Sequence, residues 1–226
     1  MSNEKHFTAP AMAARTAAIL FVFVIAFTAI LSAFYFLTKP TIEASAAEER
    51  MKLITEVLPQ ELYDNDLLKH SEELPATAEL GLDQPSTFYR ASKAGIPTAI
   101  VIEAVAPDGY AGKIKLLLAI RADGSLAGVR VTEHKETPSL GDYIDPKKDK
   151  NKIRPWITQF NDLSLSSVPD AAWKVKKDGG RFDSVAGATV TPRAVVKAVH
   201  KALKFTTDNR ERLFALSANP KTEVRQ

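Results

Sequence analysis

Residues 98–134, TAIVIEAVAPDGYAGKIKLLLAIRADGSLAGVRVTEH, decide the fold. Thr98–Ala106 is a run of β-branched and small apolar residues broken only by Glu103, and it reads as a strand. Pro107-Asp108-Gly109 ends it in a turn. Lys113–Arg121 and Ser125–His134 are two further strand-like runs, separated by Ala122-Asp123-Gly124. Two such runs around an Asp-Gly pair predict a hairpin.

Working outward, Ser86–Ser92 is a fourth strand candidate and Trp173–Lys177 a fifth. Ile153–Phe160 reads as a short helix. Thr191–Phe205 reads as a longer one, with Val195, Val196, Val199, Ala202, Leu203 and Phe205 forming its apolar stripe. Thr191 suits the N-cap and Pro192 the first helical position. Residues 60–85 carry Pro75, Gly81 and Pro85 and read as irregular, and no internal repeat is present. Strands that run together and are followed by helices predict an α+β fold, an antiparallel sheet flanked by helices.

The N-terminal side is different. From Thr16 to Leu37 the chain has 22 residues without a charge. As a helix they span roughly 31 Å, about the hydrocarbon thickness of a bilayer. Tyr35 stands near one end, where interfacial aromatics gather. Ala44-Ser45-Ala46 resembles a signal-peptide cleavage site, but the apolar run exceeds a signal core, which favours an uncleaved anchor. The expected division is a short cytoplasmic tail over 1–15, a transmembrane anchor over 16–38, a linker over 39–85 and a folded domain over 86–226. Within the linker, Ile42, Met51, Ile54, Val57 and Leu58 form the stripe of an amphipathic helix that Pro59 ends. Lys5 and Arg15 precede the anchor, while Lys39, Arg50 and Lys52 follow it. These charges set no clear orientation, and the short tail gives a mild preference for the N-terminus inside.

Composition excludes several functions. The 226-residue chain has a net charge of +3, of which Lys5, Arg15 and Lys39 against Glu4 supply +2. The remaining roughly 180 residues suit one domain with its own core. No basic stripe interleaved with aromatics points to nucleic acid. Without cysteine, the chain holds no disulfide, thiolate metal site or cysteine nucleophile. Its four histidines, His6, His70, His134 and His200, are scattered, so no metal site is expected. The Lys/Asp-rich DPKKDK of residues 145–150 reads as a solvated turn.

Two segments carry the chemistry. In Asp183–Pro192, DSVAGATVTP, Thr189 lies just ahead of a helix start. Unsatisfied N–H groups and the positive end of the helix dipole favour an anion there. Gly187 and Ala188 are small enough for close approach. By itself the segment is equally a small-residue turn. In Glu133–Asp142, EHKETPSLGD, Glu136 and Thr137 offer polar groups at a strand end, and Pro138 and Gly141 shape the backbone. Alone, that segment is a polar loop. No G-x-G-x-x-G, nucleophile elbow or P-loop occurs, so no catalytic residue is expected and the chain is not expected to be an enzyme alone.

Taken together and in this order, EHKETPSLGD and RFDSVAGATVTP resemble the FMN-binding domain of the G subunit of Rnf complexes. The C subunit of the sodium-pumping NADH:quinone reductase carries a similar domain. The resemblance covers nearly the whole chain, including Lys176–Gly180 and Phe182-Asp183. It implies one FMN per chain, joined as a phosphoester to the threonine of Gly-Ala-Thr, here Thr189, by a flavin transferase (ApbE-like). It implies contacts to the flavin from Glu136, Thr137, Leu140 and Gly141. Asp183 is then either a positioning residue or a turn-forming Asp. Lys177, in phase with Trp173 and Val175 on a strand, either reaches the cofactor or is a surface lysine. Trp156 and Tyr143 either stack on the flavin or belong to the core, and Thr191 is both cap and motif member. Ser139 replaces a loop glycine of the family pattern, and Ala186 stands where many relatives have Ser or Thr.

The same resemblance implies an electron-transfer subunit of a membrane-bound complex. That subunit relays electrons between ferredoxin- or NAD(H)-linked subunits, coupled to ion translocation. Its partners are the other subunits and the lipid bilayer. Its place is the bacterial inner membrane, single-pass, with the domain on the periplasmic side. The alternative is a membrane-tethered scaffold domain without flavin.

Overall fold

The apolar runs at Ile96–Ala106 and Ile114–Arg121 are nearly continuous because their sheet is buried on both faces. A computed structural model describes residues 9–215. Its five strands are β1 (Ser71–Leu74), β2 (Ser86–Lys93), β3 (Ile96–Ala106), β4 (Ile114–Arg121) and β5 (Leu126–Glu133). They form one antiparallel meander in the order β1-β2-β3-β4-β5. The predicted hairpin is β4–β5. Its turn is closed by Arg121 N–H to the Ser125 carbonyl (2.8 Å) and Gly124 N–H to the Arg121 carbonyl (2.9 Å). Asp123 accepts from the Ser125 N–H at 2.8 Å, the local bond that favours Asp in turns.

Alternation sends β-strand side chains to two cores. Val101, Leu117 and Ala119 pack with Ile54, Val57, Leu58, Tyr63 and Leu67. Ile100, Ile102, Leu116, Leu118 and Ile120 pack on the opposite face. There they meet Val195, Val199, Ala202 and Leu203 of α2 (Val190–Asp208) and the apolar residues of the 142–182 segment. Full burial of each such side chain is worth about 1.5–3 kcal/mol. The short helix α3 (Arg210–Phe214) closes the described chain. Arg90 holds it by donating to the Leu213 (2.7 Å) and Arg212 (3.1 Å) carbonyls.

The long helix α1 (Ala9–Val57) has 49 residues and carries Pro40 inside it. It is the one helix among the described residues long and apolar enough to cross a membrane. The chain divides into two compact units, up to Glu49 and from Arg50 onward. In the first, large apolar side chains such as Phe21, Leu31 and Phe36 are exposed. The second contains the end of α1, whose Ile54 and Val57 are buried in it together with the next residue, Leu58.

Several expectations are corrected. Anchor and amphipathic linker are one unbroken helix, because Pro40 removes a single donor without ending it. Residues 60–85 are not irregular throughout. They contain β1 and 3₁₀ turns at Gln60–Leu62 and Ala78–Leu80, and they belong to the same unit as the sheet. Trp173–Lys177 is not a strand. It is a bridge from Val175 to Phe182 between 3₁₀ turns at Asp170–Ala172 and Lys176–Asp178. Trp156–Phe160 is a 3₁₀ helix. Residues 1–8 of the expected tail and 216–226 of the expected domain lie outside the described residues.

Candidate functional site

The loop that leaves β5 folds tightly on itself. The Thr137 carbonyl accepts from the N–H groups of Leu140 (3.2 Å) and Gly141 (3.0 Å). Ser139 sits in the left-handed region with φ 61°, a conformation that glycine adopts without strain. A side chain there costs about 1 kcal/mol. Ser139→Gly is therefore expected to raise stability by about 0.5–1 kcal/mol, part of the relief being offset by a freer unfolded chain. Thermal unfolding reads this directly, and a lowered Tm would contradict it.

Inside this loop Glu136 is buried, only 4% exposed. Its Oε1 accepts from the Ala111 N–H at 3.0 Å, and its Oε2 accepts from the Thr191 hydroxyl. One carboxylate thus ties the β3–β4 loop to the first turn of α2. Gly141 packs against this pair. A Cβ added there would lie 2.8 Å from both Glu136 Oε2 and Thr191 Oγ1, so only glycine fits.

The second segment is fixed at several points. The Asp183 N–H donates to Gln159 Oε1 (2.8 Å), its carbonyl accepts from the Trp156 indole N–H (2.7 Å), and its carboxylate pairs with Lys176 (2.5 Å). The Tyr143 hydroxyl accepts from the Val185 N–H and donates to the Ala188 carbonyl, both at 3.3 Å. It therefore spans the turn in which Gly187 takes φ 82°. Burial pushes the Tyr143 hydroxyl pKa above its ordinary value, against the opposing effect of the Val185 N–H. Arg193 holds the start of α2 to the preceding turn through both oxygens of Asp178 (2.5 and 2.6 Å), and keeps that carboxyl below its usual range.

Helix α2 begins one residue earlier than expected, and its N-cap is Thr189, not Thr191. Thr191 lies in the first turn with its hydroxyl committed to Glu136. The Thr189 side chain makes no capping hydrogen bond. Thr189 is 8% exposed, and its carbonyl accepts from the Arg193 N–H at 3.2 Å. Pro192 has no N–H, so the Val190 and Thr191 N–H groups remain without intrahelical acceptors. An unused hydroxyl next to free N–H donors at the N-terminus of a 19-residue helix suits a phosphate.

Next to this N-terminus is a cleft of about 210 Å³. The structure brings Glu136, Thr137, Leu140 and Gly141 together there with Gly187, Ala188 and Thr191. It does not bring Lys177 or Asp183 to that cleft, and Thr189 itself does not line it, although its chain neighbours Ala188 and Val190 do. Lys177 is exposed on the Lys176–Asp178 turn, and Asp183 lines a larger neighbouring cleft of about 510 Å³. Tyr143 and Trp156 line that second cleft too, edge to face with ring centroids 5.7 Å apart. Trp156 is a core residue, stacked edge-on against Phe160.

Sequence reasoning missed Tyr110 and Val190 of the first cleft. Tyr110 is 71% exposed in the β3–β4 loop. Its signal was an aromatic between Gly109 and Gly112 in a turn, a placement with no packing purpose.

An antiparallel sheet with α2 on one face, a buried loop carboxylate and a threonine at a helix N-cap place the chain in a class of α+β domains whose helix N-terminus suits an anion. Consistent with this class, residues 109–204 match the family described as FMN-binding domain, and residues 5–57 match the RnfG N-terminal region. The chain is 49% identical over 178 residues to the G subunit of the ion-translocating oxidoreductase complex of Pseudomonas aeruginosa (strain UCBPP-PA14), covering 79% of this chain and 81% of the relative. It is 43% identical to the protein of that name from Shewanella baltica, covering 80% and 84%. It is 40% identical to that from Pseudoalteromonas atlantica, covering 93% and 96%. The chain belongs to this family, the G subunits of ion-translocating oxidoreductase complexes.

Proposed function

We propose that this chain is the flavin-carrying electron-transfer subunit of a membrane-bound complex of Rnf type, with one FMN attached through a phosphoester to Thr189. The observation that carries the reading is the Thr189 side chain, without a capping bond at the N-cap of α2 and held between Ala188 and Val190, which line the cleft formed by the two motif segments. The hydroxyl is the acceptor. Its Oγ1–P bond forms, its proton is lost, and the phosphoanhydride of a flavin dinucleotide donor breaks with AMP leaving. An ApbE-like flavin transferase performs that step. Bound there, FMN supplies one- and two-electron redox chemistry.

The chain's own residues bind and orient. The Val190 and Thr191 N–H groups and the α2 dipole stabilise the phosphate charge. Tyr110 and Leu140, both exposed on the same cleft, are the residues that would pack against the flavin. Thr137, Gly141, Gly187 and Ala188 form the walls. Glu136 positions the loop from beneath, and Asp183 anchors the acceptor segment through its backbone. A cleft of about 210 Å³ is below the usual size of a ligand pocket, so it would hold only part of the cofactor.

The apolar part of α1 is the single-pass anchor in the bacterial inner membrane, with the short tail cytoplasmic and the domain periplasmic. There it passes electrons between ferredoxin- or NAD(H)-linked subunits while the complex translocates ions. Washed, denatured protein coexpressed with a flavin transferase is expected to fluoresce under ultraviolet light. A dark band overturns the covalent assignment. A reporter fused to the C-terminus is expected to be active only in the form that matures in the periplasm, and activity confined to the cytoplasm overturns the orientation.

A further inference from the structure

The second cleft, of about 510 Å³, is not the one the carrier reading assigns to the flavin, yet Asp183 and Val185 of the acceptor segment line it. Its other wall is the 145–154 loop. That loop carries five cations against two carboxylates, a charge of +3, whereas the whole of residues 41–226 carries +1. Its charges are not equivalent. Lys147 lies 3.8 Å from Glu56, and Lys152 donates to the Pro146 and Lys147 carbonyls at 3.3 and 2.8 Å, bracing the loop.

Asp149 is buried, and its carboxylate accepts from the Asn151 N–H (2.8 Å) and the Trp156 N–H (2.5 Å), so it is spent on the backbone. Asp183 is paired with Lys176. Lys148, Lys150 and Arg154 are exposed, line the cleft, and form no ion pair among the described residues. Between them Ile153 is 93% exposed. One exposed isoleucine is ordinary. An exposed isoleucine in a loop with three unpaired cations, at a cleft lined also by Asp142 and by the cofactor segment, has the composition of a docking surface.

We propose that this cationic lip docks an acidic patch on the protein that exchanges electrons with the flavin on Thr189. The proposal rests on the flavin-carrier reading above. Complementary charge raises the encounter rate and fixes the orientation of two redox proteins, at a contact that breaks again after each transfer. Ile153 is the apolar anchor, and Lys148, Lys150 and Arg154 steer.

The test uses the assembled complex with the full-length chain, either wild type, with Lys148→Glu, Lys150→Glu and Arg154→Glu combined, or with Ile153→Asp alone. Flavin content is read by in-gel fluorescence. The rate of flavin reduction by the complex's own donor is followed across a salt series. Both variants are expected to carry wild-type amounts of flavin. In the triple variant, reduction at low salt is expected to be roughly tenfold slower or more, with the wild type's salt dependence lost. Ile153→Asp is expected to slow reduction while leaving the salt dependence in place. Full flavin with wild-type rate and salt response in both variants overturns the docking surface and leaves the carrier reading standing. Loss of flavin in the variants alone overturns it too, because the lip then serves the transferase. No flavin on the wild-type chain overturns the carrier reading itself.

Discussion

Thr189→Ala is expected to carry no covalent flavin at all while remaining folded. The hydroxyl is the single bond between chain and cofactor in the proposed site, so its loss is all-or-none. The fold is expected to tolerate the change. Replacing an N-cap threonine with alanine commonly costs about 1 kcal/mol through a lost capping bond. Here no such side-chain bond exists, and the expected cost is below that figure. Thr189→Ser keeps an acceptor oxygen and is expected to recover flavin, though less of it, because a serine rotates more freely than a β-branched threonine. Fluorescence of denatured protein, set beside thermal unfolding of each variant, gives both readouts. Flavin retained by Thr189→Ala would place the attachment elsewhere.

Glu136→Ala is expected to give the largest loss of stability of any single change at the site. Glu136 is 4% exposed, and its carboxylate accepts from the Ala111 N–H and the Thr191 hydroxyl. Hydrogen bonds to a charged group contribute roughly 1.5–3 kcal/mol each, and truncation strands both donors. Some of this is recovered because a desolvated charge is removed as well. A net cost of about 3 kcal/mol is expected, which lowers Tm by about 6–12 °C for a domain of this size. Glu136→Gln keeps the shape but turns one acceptor into a donor, and is expected to cost about half as much. Because Glu136 holds the β3–β4 loop and the start of α2 together, flavin loading is expected to fall with stability. A cost below about 1 kcal/mol for Glu136→Ala would show that Ala111 and Thr191 find other partners.

What was legible in the sequence follows from how local its cause is. Strands β3, β4 and β5 are written in apolar runs and an Asp-Gly turn, and they appear within two residues of their expected bounds. Strand β1, Ser-Glu-Glu-Leu, was missed because it is an edge strand. Its pairing with Ser86–Tyr89 of β2 stabilises it, and two glutamates suit an edge. The alternation of Trp173 and Val175 was real, since both are buried. A single bridge between 3₁₀ turns produces it, however, so Lys177 gains no place at the cleft.

The site divides in the same way. Glu136, Gly141 and Gly187 stood out as motif positions, but Thr191 was assigned by helix-start logic. Its actual partner is Glu136, 55 residues away, and no local rule reports a bond of that separation. Tyr110 shares the cleft only because the meander returns the β3–β4 loop to the α2 N-terminus. Anchor and linker read as separate elements meeting at residue 39, and the helix runs through that point and through Pro40.

The central claim is that Thr189 bears the flavin. Its most direct test is peptide-mapping mass spectrometry of the full-length chain after coexpression with a flavin transferase. The expected result is a peptide spanning Asp183–Arg193 that is heavier by FMN less one water, with fragment ions assigning the addition to Thr189. An unmodified peptide, or the same addition on any other residue, would contradict it.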